Sequence, residues 1–352
     1  MTVKRAVNLL RAACLLHTVS LLMLLSSGSH AVERLTHNQT DTPRYQYSTV
    51  LMTTDVEFIV ISADQKAAQQ AVAEAIAEFE RIEALLSEWK PDSEISRLNR
   101  LAAQAPQVVS DETFRLLEES LAISRLTSGK FDITFKSAGK LWDFHRAEIP
   151  DAAQLQQAAS AIDYRRVELD PATHSVRFTS AGTQIGLGGI AKGYAVDRAV
   201  QIIRRHGFAE FAVNAGGDLY AVSHGNQKMW QVGVRHPRAA DQLLALLPVA
   251  NAAVTTSGDY ERFFDLNGVR YHHILDPATG QPARGSMSVT VLAPRTYLAD
   301  ALATGVFVLG PQAGMALIES LPGVEAMIVD SQGEIHVSAG LSDLQRAPAP
   351  GR

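Results

Sequence analysis

Apolar residues along the chain switch repeatedly between two spacings, every second residue and every third or fourth. Over 45–62, "YQYSTVLMTTDVEFIVIS", apolar and polar residues alternate for much of the length, which predicts paired strands. Over 64–89 the step lengthens. Val72, Ile76, Phe79, Ile82, Leu86 and Trp89 fall on one stripe and predict a long helix that Pro91 stops. A second helix is predicted after Ser110, with Phe114, Leu117 and Leu121 on one side and its end near Gly129. "RVELDPATHSVRFTS" (166–180) predicts two strands around a proline-containing turn, and "GYAVDRAVQIIRRHG" a helix closed by Gly207. Strands near 211–214, 229–234 and 243–249 lead into "RFFDLNGVRYHHIL", where Asn267 and Gly268 form a two-residue hairpin turn. The last third predicts the strand "SMSVTVLA", a helix over about 296–309, another opened by Pro311, and a hairpin across "DSQGE". Hairpins and helices are mixed and no internal repeat is present. The predicted class is therefore α+β, with mixed or antiparallel sheets and packed helices, rather than a doubly wound parallel sheet.

The first thirty residues depart from this pattern. Lys4, Arg5 and Arg11 precede the apolar run "AACLLHTVSLLMLL" (12–25), and Ser29 and Ala31 stand like a small-x-small cleavage site. This predicts a signal peptide over 1–31, an uncleaved membrane anchor being the alternative. A polar leader over 32–43, one domain or two intimate lobes over 44–342 and a flexible tail over 343–352 complete the expected organisation. The mature chain is expected not to span a membrane. The chain's one cysteine, Cys14, lies inside the apolar run, so the mature protein would carry no thiol. Disulfides, thiolate metal sites and cysteine nucleophiles are thereby excluded, and an oxidising compartment suits the composition. With 352 residues and 46% hydrophobic content the chain can bury a large core. Net charge is −5 and the basic residues are scattered, so no nucleic-acid partner is expected.

Three stretches carry candidate chemistry. "GLGGIAKGYAVDRA" (186–199) places glycines and Lys192 at a predicted helix start, where unpaired N–H groups and a partial positive charge favour an anion. It lacks the strand order of a dinucleotide fold and the frame of a P-loop, and a ligand-free turn is the plain alternative. In "ADALATGVFVLG", Asp300 and Thr304 lie four apart on one helix face, a hard-oxygen pair suited to Mg²⁺ or simply a solvated surface. "YHHILDPATG" brings His273 to a strand end beside the Asp276 turn, a proton-transfer pair or a structural turn with exposed histidines.

Seven motifs in order, "PDSEISRLN", "GKFDIT", "GLGGIAKGYAVD", "NAGGDLYA", "TSGDYERFF", "HILDPATG" and "ADALATGVFVLG", cover nearly the whole mature chain. In them the chain closely resembles the FAD:protein FMN transferases, the ApbE family, once described as thiamine-biosynthesis lipoproteins. The resemblance implies an ApbE-like, T-fold-like architecture and transfer of FMN from FAD to a Thr or Ser hydroxyl of a target flavoprotein, with AMP released. It implies FAD contacts at Met52, Thr54, Gly188, Gly189, Lys192, Gly216, Gly217, Asp218, Ser257, Gly258 and His273. It also implies Mg²⁺ held by Asp300, Thr304 and the Gly189 carbonyl. The chemistry would fall to His273 as proton acceptor, Asp276 as its orienting group and Lys192 as a charge on the phosphates. Targets would be membrane respiratory or electron-transfer proteins met in the periplasm. An FAD pyrophosphatase and a non-catalytic flavin carrier are the alternatives. Two positions depart from the family pattern: Gly186 stands where Asp is usual, and Thr53 where the middle glycine of "MGT" is usual.

Overall fold

The structure, a computed structural model, describes residues 42–224 and 229–346. The expected signal peptide, all but the end of the leader and the last six residues of the tail lie outside the described residues. The described residues beyond 33 cluster as one unit, and the final helix, Ala339–Arg346, runs past the boundary expected at 342. No helix among the described residues is long and apolar enough to cross a membrane.

The frame is an eight-stranded antiparallel sheet. Across it the strands run Arg44–Leu51, Thr54–Ile61, Phe211–Ala215, Asp218–Val222, Ala252–Gly258, Ser286–Ala293, Glu325–Asp330 and Ile335–Val337. Alternation sends neighbouring side chains to opposite faces. Phe58 and Val60 join Val213 in a core beneath the helices Gln65–Leu86, Asp111–Leu126, Ala191–Arg205 and Thr296–Leu309. Ile59 and Ile61 join Ala212, Leu219 and Val254 on the other face, where the hairpin Trp230–His236 with Ala239–Val249 covers them through Trp230, Val232 and Leu247. Both faces of the central strands are thus dry.

Local signals place most elements as expected. Asp64 and Ser110 cap their helices with side-chain oxygens, the Asn267-Gly268 turn joins Phe263–Leu266 to Val269–His272, and Gly207 closes its helix at φ 86°. Trp89 is a correction. The helix Gln65–Leu86 stops before it, because Ser87 turns extended and its carbonyl accepts from the hydroxyl of Ser93, which itself caps the unforeseen helix Glu94–Leu101. Trp89 is 75% exposed, with the Lys136 ammonium 3.3 Å above its ring.

Candidate active site

Two tight turns open at the same end of the sheet. Met52 and Thr53 join the first two strands, and Gly216 and Gly217 join Phe211–Ala215 to Asp218–Val222; all four residues have positive φ, at 50°, 62°, 59° and 94°. Such turns match the right-handed twist of a hairpin. The Gly216 N–H donates to the Asp55 carbonyl, and the Thr54 hydroxyl fills the space a Cβ on Gly216 would need. Met52, Thr54, Gly216 and Gly217 therefore gather at one rim, as expected. Thr53 adopts the left-handed conformation with a β-branched side chain, which glycine would adopt without strain.

Two helices bring the polar groups to this rim. The helix Ala191–Arg205 starts at Ile190 with no side-chain cap; the Ile190 and Ala191 N–H groups turn back to the Leu187 carbonyl at 3.1 and 2.8 Å, and a Cβ on Gly188 would meet only open space. A Cβ on Gly193 would lie 2.6 Å from the Thr296 carbonyl oxygen, so glycine there lets the helix Thr296–Leu309 cross in contact. Asp197, from the first helix, accepts from the Thr296 N–H and hydroxyl at 2.9 Å and from the Tyr297 N–H at 3.1 Å, capping the second. That clamp sets Asp300 against the Gly193 N–H, at 3.2 Å. Asp197 was invisible to motif reasoning, because its partner lies a hundred residues away.

Around Asp300 the expected residues converge. The Lys192 ammonium pairs with Asp218 and lies 3.7 Å from Asp300. Thr304 Oγ1 is 3.3 Å from Ser257 Oγ and 3.3 Å from the point a Cβ on Gly189 would occupy. Gly258 follows Ser257 on the same strand and faces the Tyr260 ring. Two buried carboxylates thus share one ammonium. Burial and the neighbouring Asp218 push Asp300 up to about 7, and burial raises Asp218 against the pull of Lys192. Burial alone would lower the lysine, but Asp218 and Asp300 hold it above its ordinary range.

His273 extends the strand Val269–His272, and its N–H donates to the Arg262 carbonyl. Burial first, and the charge of Arg262 next, push its imidazole down to about 3, so the ring is neutral. Its Nδ1 is buried without a hydrogen-bond partner. Lys192 adds to the same depression. Arg262 is an exposed cation, and no motif in the sequence marks it out. Asp276 is a correction: no hydrogen bond or ion pair joins it to His273 among the described residues. Its Oδ1 instead takes the Lys130 ammonium at 2.9 Å and the Ala278 N–H at 3.1 Å, as a turn-forming Asp does. At Gly186 the Glu88 carboxylate, paired with Lys136 at 2.8 Å, occupies the space of any side chain.

The donor set fits a hard divalent cation. Asp300, Thr304 and the chain at Gly189 present oxygen only, and no cluster of three or more His, Cys, Asp or Glu exists among the described residues to hold a softer metal. One carboxylate with neutral oxygens leaves positions for water and phosphate, and the unbalanced carboxylate pair is what a cation would relieve.

The chain is 38% identical to an FAD:protein FMN transferase of Treponema pallidum over 294 residues, 78% of this chain and 81% of that one. It is 32% identical to one of Klebsiella pneumoniae over 300 residues, 84% and 92% of the two chains. Among solved structures, the ApbE protein of Thermotoga maritima superposes with a TM-score of 0.79 at 32% identity, covering 86% of this chain and all of the other. The apo flavinyl transferase ApbE of Pseudomonas stutzeri gives 0.76 at 26%, covering 88% and 98%. The order of motifs along the chain and the match of residues 52–328 to the family as a whole lead to one assignment: this chain belongs to the ApbE family.

Proposed function

We infer that the chain is a transferase that moves FMN from FAD onto a protein, and we propose the hydroxyl of Thr or Ser as acceptor and AMP as leaving group. The observation that carries the proposal is the Lys192 ammonium shared by the buried Asp218 and Asp300 at the start of a helix with no side-chain cap, its charge also felt by a neutral His273. In that transfer the acceptor oxygen bonds to the FMN-side phosphorus while the bond to the AMP oxygen breaks, a reaction that needs positioning and charge neutralisation more than covalent help. The N–H groups of Gly188, Gly189 and Lys192 and the Lys192 ammonium receive the pyrophosphate. Asp300, Thr304 and the Gly189 carbonyl would hold Mg²⁺, which when bound neutralises phosphate oxygens as AMP departs. His273 takes the acceptor proton at Nδ1, where no hydrogen bond competes. Met52, Thr54, Gly216 and Gly217 form the rim along which the flavin end lies. Export by the segment 1–31 to the periplasm is part of the same proposal, resting on Lys4, Arg5 and the apolar run.

The test is to incubate the chain with FAD, Mg²⁺ and a flavoprotein domain bearing a Thr or Ser acceptor. An FMN mass increment on the domain with AMP release is expected; FMN and AMP in solution with every domain tried left unmodified would make the chain a hydrolase instead. Asp300→Ala should abolish transfer, and full chelator-insensitive activity in that variant would sink the metal assignment. N-terminal sequencing of the exported protein should begin near residue 32, and a chain recovered from membranes with 9–25 intact would show an anchor.

A further inference from the structure

Beside the strand Val269–His272 lies a cavity of ≈170 Å³. Its lining includes Arg238, Arg270, Arg284, Asp259, Ser286 and His272. Three guanidinium groups thus face one carboxylate. Asp259 is buried and takes Arg238 through two bonds of 2.7 and 2.6 Å, while Arg270 stands 3.7 Å from it and is held from outside by Asp265 at 3.0 and 3.1 Å. Arg284 has no carboxylate partner among the described residues; one of its nitrogens donates to the Arg270 carbonyl. Ser286, only 4% exposed, has a buried hydroxyl with no hydrogen-bond partner.

We propose that this cavity is a binding site for a small oxyanion of the phosphate class, separate from the FAD site. A buried hydroxyl left unmatched is unusual in a folded protein and asks for an acceptor. Guanidinium forks match phosphate geometry, and Arg284 brings a positive charge that no side chain balances. The volume suits inorganic phosphate or the phosphate end of a phosphomonoester, whereas a whole nucleotide would have to leave its base outside. His272 lines this cavity, its Nε2 donating to the Ala283 carbonyl beside it, whereas His273, Lys192, Asp218 and Asp300 are not among its lining.

The experiment is calorimetric titration of inorganic phosphate, at constant ionic strength with chloride as the control anion, into the chain saturated with FAD so that the glycine loop is occupied. One saturable site is expected, weakened at least about tenfold in Arg284→Ala and measurably in Ser286→Ala. Ser286→Ala removes only an unpartnered hydroxyl, Arg284→Ala removes a stacking contact with Tyr271 and a bond to the Arg270 carbonyl, and circular dichroism verifies the fold of both. No saturable binding, or binding that both variants keep in full, overturns the proposal; so does binding that vanishes on FAD saturation, which would return the anion to the glycine loop. AMP titrated in the same way identifies the source of the anion: competition with phosphate assigns the site to phosphomonoesters, and phosphate binding without competition assigns it to the free ion.

Discussion

His272 and His273 are neighbours in the chain and opposites in environment. His272 is buried, its Nε2 donating to the Ala283 carbonyl and its Nδ1 accepting the Ile274 N–H, with its ring edge-on to Phe307. His273→Ala should leave FAD affinity nearly unchanged and slow transfer by about two to four orders of magnitude, the usual worth of a positioned base. His272→Ala should do the reverse: transfer per folded molecule close to normal, and stability lower by about 2 kcal/mol in urea denaturation. If His272→Ala stops the reaction in folded protein while His273→Ala does not, the base is misassigned. Gly193 makes the same point through packing. Gly193→Ala should cost about 2–3 kcal/mol and lower metal and FAD affinity together, because the added carbon meets the Thr296 carbonyl and pushes apart the helices that bear Lys192 and Asp300. An unchanged melting curve would mean the crossing is looser than its geometry.

At the scale of elements, the helix Thr296–Leu309 depends on a cap lent by another helix. Its own N-cap residue, Arg295, makes no side-chain cap, and Asp197 supplies it from a distance. Asp197→Ala should therefore fray the turn that precedes Asp300, costing about 2 kcal/mol and weakening divalent-cation binding, with Asp197→Asn recovering part of both. Equal cation affinity in wild type and Asp197→Ala would show that Asp300 is positioned without the cap. The sequence shows which of these parts were legible. Self-contained signals read true: Ser110 as a cap, Asn267-Gly268 as a turn, Asp300 and Thr304 as a pair four apart on one helix. What depends on distant partners did not. Asp197 looks like any helix-face acid, and Asp276 looks like a histidine's partner until Lys130 arrives from 146 residues away. The strand Asp218–Val222 is buried at every position, so no alternation marks it. Trp89 kept the helical spacing, but Ser87 had already ended the helix.

The whole molecule is organised by its sheet. The central strands Phe211–Ala215, Asp218–Val222 and Ala252–Gly258 are paired on both sides and largely dry, and their amides should be the slowest to exchange hydrogen. Amides of the short edge strand Ile335–Val337 should exchange orders of magnitude sooner; uniform protection across the sheet would mean that it opens only as a whole. Chelation with EDTA should leave this pattern intact in the strands and speed exchange near Asp300, since a cation there supports the rim and not the frame.

The order of strands in space follows their order in the chain, every long excursion returning to the edge it left. The sheet can therefore grow one strand at a time as the polypeptide emerges, each newcomer finding its neighbour already made. The first and last strands consequently form opposite edges, seven interstrand spacings apart along the sheet, or about 34 Å. A circular permutant would need a linker long enough to cross that width, whereas an insertion at the Asn267-Gly268 turn would cross nothing. A fusion partner at either end would meet an edge strand before it met the transfer site.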